Sequence, residues 1–218
     1  MLVLSWVVSG LLSMNPWGWL ESESSAGEAY QLRGELPTWQ TVHGALQALP
    51  QAQLPVNVVS ISASTINGDL AFLLNTRSGE QMRVDERWNL APLSQAAINK
   101  AVMSLSPGSP WTLLTEPDDY YYSHRNDRVT LPVLRVIGND AHATRYYLDA
   151  VSGELLHKVD ANARWYRWLH SGLHRMDFKP VMRMRPFWDL LMWTLLLGAA
   201  LVCATGTWLG IRRLRGHR

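Results

Sequence analysis

The sequence holds one cysteine, Cys203, and it lies inside an apolar run near the C-terminus. A lone thiol excludes an intrachain disulfide framework, a CxxC redox pair and a thiolate metal cluster. It is compatible with a domain outside the cytoplasm that does without disulfides. The usual catalytic signatures are missing as well: there is no G-x-S-x-G elbow, no phosphate-binding glycine loop and no dinucleotide fingerprint. Their absence weighs against a hydrolase, a kinase or a dehydrogenase. Electron transfer stays open, because there a cofactor carries the chemistry. Phenylalanine is scarce, three residues against eleven tryptophans, and tryptophan favours bilayer interfaces. A hydrophobic fraction of 47% is too ordinary for a many-pass membrane protein.

What is present is unevenly distributed. Residues 21–163 carry 16 Asp and Glu against 10 Lys and Arg, whereas residues 164–218 carry 2 against 10. An acidic middle followed by a basic end suggests an aqueous domain joined to a membrane anchor. No nucleic-acid-binding module accompanies the basic end, so the expected partner is the lipid bilayer and not nucleic acid. Leu190 to Ile211, "LLMWTLLLGAALVCATGTWLGI", is 22 residues without a charge, long enough to span a hydrocarbon core of roughly 30 Å. Trp188 and Trp193 stand near one end and Trp208 near the other, with Arg212, Arg213, Arg215 and Arg218 following. The pattern predicts a transmembrane helix over 188–211 and a basic cytoplasmic tail over 212–218. The opening run "MLVLSWVVSGLLSMNPWGWL" is too short for a comfortable span. It reads as the outer half of a transmembrane helix over 1–20, with a signal anchor as the alternative.

Between these ends the pattern is α+β. Thr38 caps a helix that Pro50 ends, Val56–Ser64 alternates as a strand, and Asn67-Gly68 is a type I′ hairpin signal leading into "LAFLL". Ser78-Gly79 turns the chain into "EQMRVDE", and Ser94 caps a second helix through Leu105, which Pro107-Gly108 breaks. Strands are expected at Thr112–Thr115, Leu131–Ile137, Arg145–Asp149 and Leu155–Val159. Helix, strands, a Ser-Gly-Glu turn and a last strand thus occur twice, in "LLNTRSGEQMRVDE" and "YLDAVSGELLHKVD". A duplicated module follows, over 21–92 and 93–163.

"RYYLDAVSGELLHKVD" resembles the closing hairpin of a PepSY domain: an aromatic strand, Asp, a short turn ending in Gly, and another strand. "DDYYYSH" (Asp118–His124), "LPVLRV", "RWLHSGLHRMDF" and "RPFWDLLMWTLLLGAALVCATGTWLGIRRL" resemble the PepSY-associated transmembrane proteins of Gram-negative bacteria. "SWVVSGLLSMNP" is similar to the outer end of that family's first transmembrane helix. Family members usually begin with a full first helix preceded by a basic, His-containing segment, so the resemblance implies a misassigned or truncated start. It further implies an α+β periplasmic region of tandem PepSY-like modules, antiparallel sheet with helices, anchored in the bacterial inner membrane by transmembrane α-helices. Two roles are compatible with it. One is an accessory protein in iron or haem-linked redox chemistry or iron uptake. The other is a non-catalytic regulatory module that binds a periplasmic peptidase or another membrane or envelope protein.

The chemistry candidates concentrate in the basic, aromatic segment 164–187, above all in "RWYRWLHSGLHRMDF". His170 and His174 are four apart and share one face of an α-helix, a spacing that can clip a metal ion. No HExxH base accompanies them, and one haem cannot take both, because axial ligands approach from opposite faces. Haem or metal binding there needs a partner on another helix. The competing reading is an interfacial helix in which Arg164, Arg167 and Arg175 meet headgroups and Trp165 and Trp168 lie in the boundary. His43, His124, His142, His157 and His217 are scattered without metal spacing. Asp118 and Asp119 beside Tyr120–Tyr122 could hold a hard cation or a peptide, or simply form a solvated turn. Asp149 is expected to accept N–H bonds within its own turn.

Overall fold

The computed structural model describes residues 2–55, 57–123, 129–175 and 186–216, without the side chains of residues 2–5 and 174. The chain divides into two compact units, one running from Ser22 to Arg164 and the other combining Met1–Glu21 with Trp165–Arg218. Helix α1 (Leu2–Ser13) belongs to the second of these.

The Ser22–Arg164 unit is α+β. It contains α2 (Ala26–Arg33), α3 (Trp39–Ala48), a 3₁₀ turn, β1 (Val58–Ile66), β2 (Asp69–Thr76), β3 (Gln81–Val84) and α4 (Gln95–Leu105). Then come β4 (Trp111–Leu114), β5 (Val133–Ile137), β6 (Arg145–Asp149) and β7 (Leu155–Val159), followed by the start of α5 (Ala161–Tyr166). The strands form two antiparallel meanders, β1-β2-β3 and β4-β5-β6-β7.

The local signals act as their chemistry requires. The Thr38 hydroxyl accepts the Thr41 N–H at 3.3 Å to start α3, and Ser94 accepts that of Ala97 at 3.2 Å to start α4. Asn67 and Gly68 both adopt positive φ, 56° and 90°, which the tight β1–β2 turn demands. Beyond each Ser-Gly-Glu turn the ladder resumes with one equivalent bond, Thr76 N–H to Glu80 O and Asp149 N–H to Glu154 O, both 2.9 Å. The second turn is one residue longer, yet both close through a positive-φ glycine, Gly79 and Gly153. Among the described residues the first sheet has no counterpart of β4.

Three clusters of buried side chains hold the unit. Helix α3 covers the first sheet, packing Ala45 with Leu70, Phe72, Leu74, Val84 and Trp88. The Trp88 ring stacks on Phe72 at 4.5 Å and its indole N–H donates to Ala45 O at 2.8 Å. Helix α4 covers one face of the second sheet, setting Ala101 and Val102 against Leu134, Val136, Tyr146 and Leu148. Leu32 of α2 and Ile66 at the end of β1 enter that same core. At roughly 1.5–3 kcal/mol per large side chain buried, these two fasten the first half of the unit to the second. The opposite face of the second sheet packs Val133, Tyr147 and Val159 under Tyr121.

Helix α2 is not legible in the sequence pattern, and its tertiary bonds explain why. Its last carbonyls, Leu32 O and Arg33 O, accept the N–H groups of Asn67 and Gly68 at 2.8 Å. The β1–β2 turn therefore supplies the donors that a helix C-terminus otherwise lacks. Gly34 follows at φ 71°, where a Cβ would stand 2.6 Å from Gly68 N. Strand β1 is found two residues later than its alternation suggested; Val56 lies outside the described residues.

In the other unit, α1 packs against a π-helical run, Arg167–His174. Helix α6 (Phe187–Arg215) is 29 residues long, buries none of them, and by length and composition could cross a membrane. The hydroxyls of Thr194, Thr205 and Thr207 donate to the carbonyls of Leu190, Leu201 and Cys203 at 2.8–2.9 Å. Each threonine hydroxyl in the apolar stretch is thus satisfied within its own helix, as a lipid environment would require.

Candidate functional site

His170 falls in the π-helical run, where the sequence pattern expects ordinary α-helix. The Arg175 N–H reaches back to His170 O at 3.1 Å, the five-residue step of a π-helix. Such widened turns recur at functional positions. The half-buried imidazole stacks on Tyr166 at 5.1 Å. The His174 side chain lies outside the described residues, as do His124, His217 and the basic positions Lys179, Arg183, Arg185 and Arg218.

Two polar residues close to His170 in the sequence are buried. Arg167 is 7% exposed with its guanidinium 5.1 Å from the Trp168 ring, and Ser171 is 6% exposed. Ser9, on the helix packed against this run, is 2% exposed, and its hydroxyl donates to Trp6 O at 3.0 Å. Ser9, Arg167 and Ser171 are thus polar side chains buried in these two helical segments. Arg164 does not reach outward as a headgroup contact would: its guanidinium donates to Ala143 O at 3.2 Å and to His142 O. Arg167 is likewise enclosed; Trp165 remains 63% exposed, as a boundary residue would be.

The second candidate, around Asp118, is a closed polar knot. Asp118 Oδ1 accepts the N–H groups of Tyr120 and Tyr121 at 2.9 and 2.8 Å. The Tyr147 hydroxyl donates to Oδ2 at 2.8 Å, and Arg135 pairs with the same oxygen at 3.2 Å. Burial pushes the carboxyl up, but these four donors outweigh it and hold Asp118 below the ordinary carboxylate range. Burial, reinforced by the Asp118 charge, pushes the Tyr147 phenol well above its usual value. Tyr121 stacks on Tyr147 at 4.9 Å, and Arg145 lies 4.4 Å over the Tyr120 ring. The carboxylate is thus saturated by the protein's own donors and is neither a solvated turn nor an open cation site. Asp119 beside it is exposed. Composition hinted at the segment; only the fold brings in Arg135 and Tyr147.

Asp149 acts within its own turn, accepting from Val151 N–H at 2.7 Å and Ser152 N–H at 2.6 Å. Lys158 pairs with Glu28 at 2.5 Å and with Glu23 at 3.7 Å. Burial lowers the Lys158 pKa, but Glu28 overrides it and the net displacement is upward. Among the described residues no three His, Cys, Asp or Glu side chains gather as a metal-holding group. A groove of about 430 Å³ runs beside β1, lined by Leu36, Pro37, Val42 and Leu70 with Arg33 and Glu154.

Against known proteins, the chain matches no family model, and no curated protein or solved structure is significantly similar to it.

Proposed function

We propose that this chain is a membrane-anchored accessory protein of the PepSY type, seated in the bacterial inner membrane. Its Ser22–Arg164 unit faces the periplasm and binds a protein partner. The carrying observation is α6, 29 residues with none buried and every described hydroxyl bonded inside the helix. A helix of that kind, in one chain with a folded acidic unit, supports a bilayer anchor. The four arginines that follow the apolar run in the sequence support a cytoplasmic C-terminus. The recurrence of helix, antiparallel meander and Ser-Gly-Glu turn supports the tandem PepSY-like reading.

The single native cysteine gives a clean topology test. In intact cells with Cys203→Ala, a membrane-impermeant maleimide labels Ser78→Cys, while Gly216→Cys reacts only after lysis. Labelling at Gly216→Cys and protection at Ser78→Cys in intact cells would reverse the orientation. Recovery of the chain in the soluble fraction would remove the anchor altogether.

A second reading, haem or iron chemistry, is favoured by one feature: His170 sits in a π-helical run against α1. His170, or alternatively His174, would hold the iron through an imidazole nitrogen, and the bound group would supply the redox chemistry. The purified chain would then show a Soret band that His170→Ala or His174→Ala abolishes, and colourless, iron-free protein would rule it out.

A further inference from the structure

The sequence contains the Asn-Gly dipeptide once, at Asn67-Gly68. This pair is chemically labile, because glycine has no Cβ to shield its nitrogen from the neighbouring side chain. In deamidation the Gly68 nitrogen attacks Asn67 Cγ. A new N–C bond closes a cyclic imide, the Cγ–Nδ2 bond breaks, and the Gly68 proton leaves with the amide nitrogen as ammonia. Water then opens the imide at either carbonyl. The product is aspartate or, with one extra methylene in the main chain, isoaspartate, and water is the only co-reactant.

In the folded chain both nitrogens of this reaction are tied to helices. The attacking one, Gly68 N–H, donates to Arg33 O at 2.8 Å, beside the Asn67 N–H that donates to Leu32 O, so both bonds go to α2. The departing one, Asn67 Nδ2, donates to Ala97 O of α4 at 2.9 Å. From the same helix Lys100 Nζ donates to Asn67 O at 3.3 Å. Ring closure turns the side-chain amide towards Gly68 and takes the proton from Gly68 N, so the bonds to both helices must break for it to occur.

The two helices are held differently. Helix α4 has eleven residues, a Ser94 side-chain cap, and Ala101 and Val102 in the second core. Helix α2 has eight residues, its Ser25 N-cap makes no side-chain bond, and Leu32 is its buried residue. So short a helix is not stable alone. Its remaining ties are the Glu28–Lys158 pair and Gln31 Nε2 donating to Ser104 O at 2.6 Å. Local opening draws on such weakly held elements.

We infer that Asn67 is a deamidation site gated by α2. The reaction is held off while α2 is docked, proceeds when it lifts, and leaves a product on which α2 no longer docks. Isoaspartate at this position lengthens the main chain between the two N–H groups that bond Leu32 O and Arg33 O, so they no longer match consecutive helical carbonyls. In either product a carboxylate replaces the amide that donates to Ala97 O. The inference rests on neither the PepSY reading nor a cofactor.

The full chain in detergent, incubated at mildly alkaline pH, tests it. Mass spectrometry of the peptide spanning Asn67 reads conversion of amide to acid, and enzymatic methylation scores isoaspartate. The folded chain is expected to deamidate at least about tenfold more slowly than the same chain unfolded in urea at the same pH. Leu32→Ala speeds the folded reaction, and Gln31→Ala, which touches no core residue, speeds it less. Leu74→Ala, the same truncation in the core under α3, leaves the rate unchanged. Trypsin cuts the deamidated chain after Arg33 faster than the intact one. The inference is overturned by equal rates in folded and unfolded chain, by an unchanged rate in both α2 variants, by a Leu74→Ala rate as high as that of Leu32→Ala, or by a deamidated chain in which Arg33 stays as resistant as before.

Discussion

The two Ser-Gly-Glu turns look like copies in the sequence and have opposite surroundings in the fold. Around Gly79 nothing stands where a Cβ would go. Around Gly153 the same atom would collide with Ile66, which arrives from the first sheet. One turn therefore only reverses the chain, while the other also forms the wall of a joint between the two halves of the unit. Duplication supplies two equivalent parts, and packing gives them different duties.

The largest way to break that difference is at the joint. Gly153→Ala combines positive-φ strain with overpacking and is expected to destabilise the detergent-solubilised chain by about 2–4 kcal/mol in urea unfolding. Gly79→Ala, with the strain alone, is expected to lose about 1 kcal/mol. Ile66→Ala opens a cavity in the second core and costs about 2–5 kcal/mol alone. Combined with Gly153→Ala it is expected to cost less than the sum, because the smaller side chain makes room; strict additivity would mean that the two residues do not press on each other.

A smaller contrast lies in how each turn is bonded. Asp149 accepts two N–H groups at the second turn, whereas the Thr76 hydroxyl accepts one, from Glu80 at 3.1 Å, at the first. Asp149→Ala is expected to lower stability by roughly 2 kcal/mol and Thr76→Ala by roughly 1, read from the same unfolding curves. Equal losses would erase the distinction.

The smallest expected effect is one of pH, and it belongs to the second sheet. Asp118 has a folded-state pKa below its unfolded value, so its contribution is complete above the unfolded pKa. That contribution is lost as pH falls through the folded one. Acid unfolding should therefore flatten in Asp118→Asn between about pH 4 and lower values, with little change near pH 7 in that slope. An unchanged acid limb would show that the Tyr147–Asp118–Arg135 knot holds no pH-linked stability.

What the sequence revealed and what it hid divide along the same line. Capping residues, Asn67-Gly68 and the two Ser-Gly-Glu turns act through neighbours a few positions away, so α3, α4 and most strand positions can be read directly. The apolar run of α6 is legible for the same reason. Helix α2 depends on donors from Asn67 and Gly68, and Asp118 depends on Arg135 and Tyr147, so neither partner set shows in a local window. The π-helical form of Arg167–His174 also escapes, because i, i+4 spacing assumes the ordinary helical step. Arg164 and Arg167 look like headgroup contacts by composition, while their actual surroundings are carbonyls and an aromatic ring.

The seat of Ile66 has a consequence in time. The residue that closes over it, Gly153, leaves the ribosome roughly 90 residues later, several seconds at about 5–20 residues per second. During that interval the β1–β2 hairpin exists without its second half, its apolar tip uncovered and its long uncharged edge open. The nascent chain is then most vulnerable to pairing with the wrong strand, and a chaperone that shields β1 would matter most in that window.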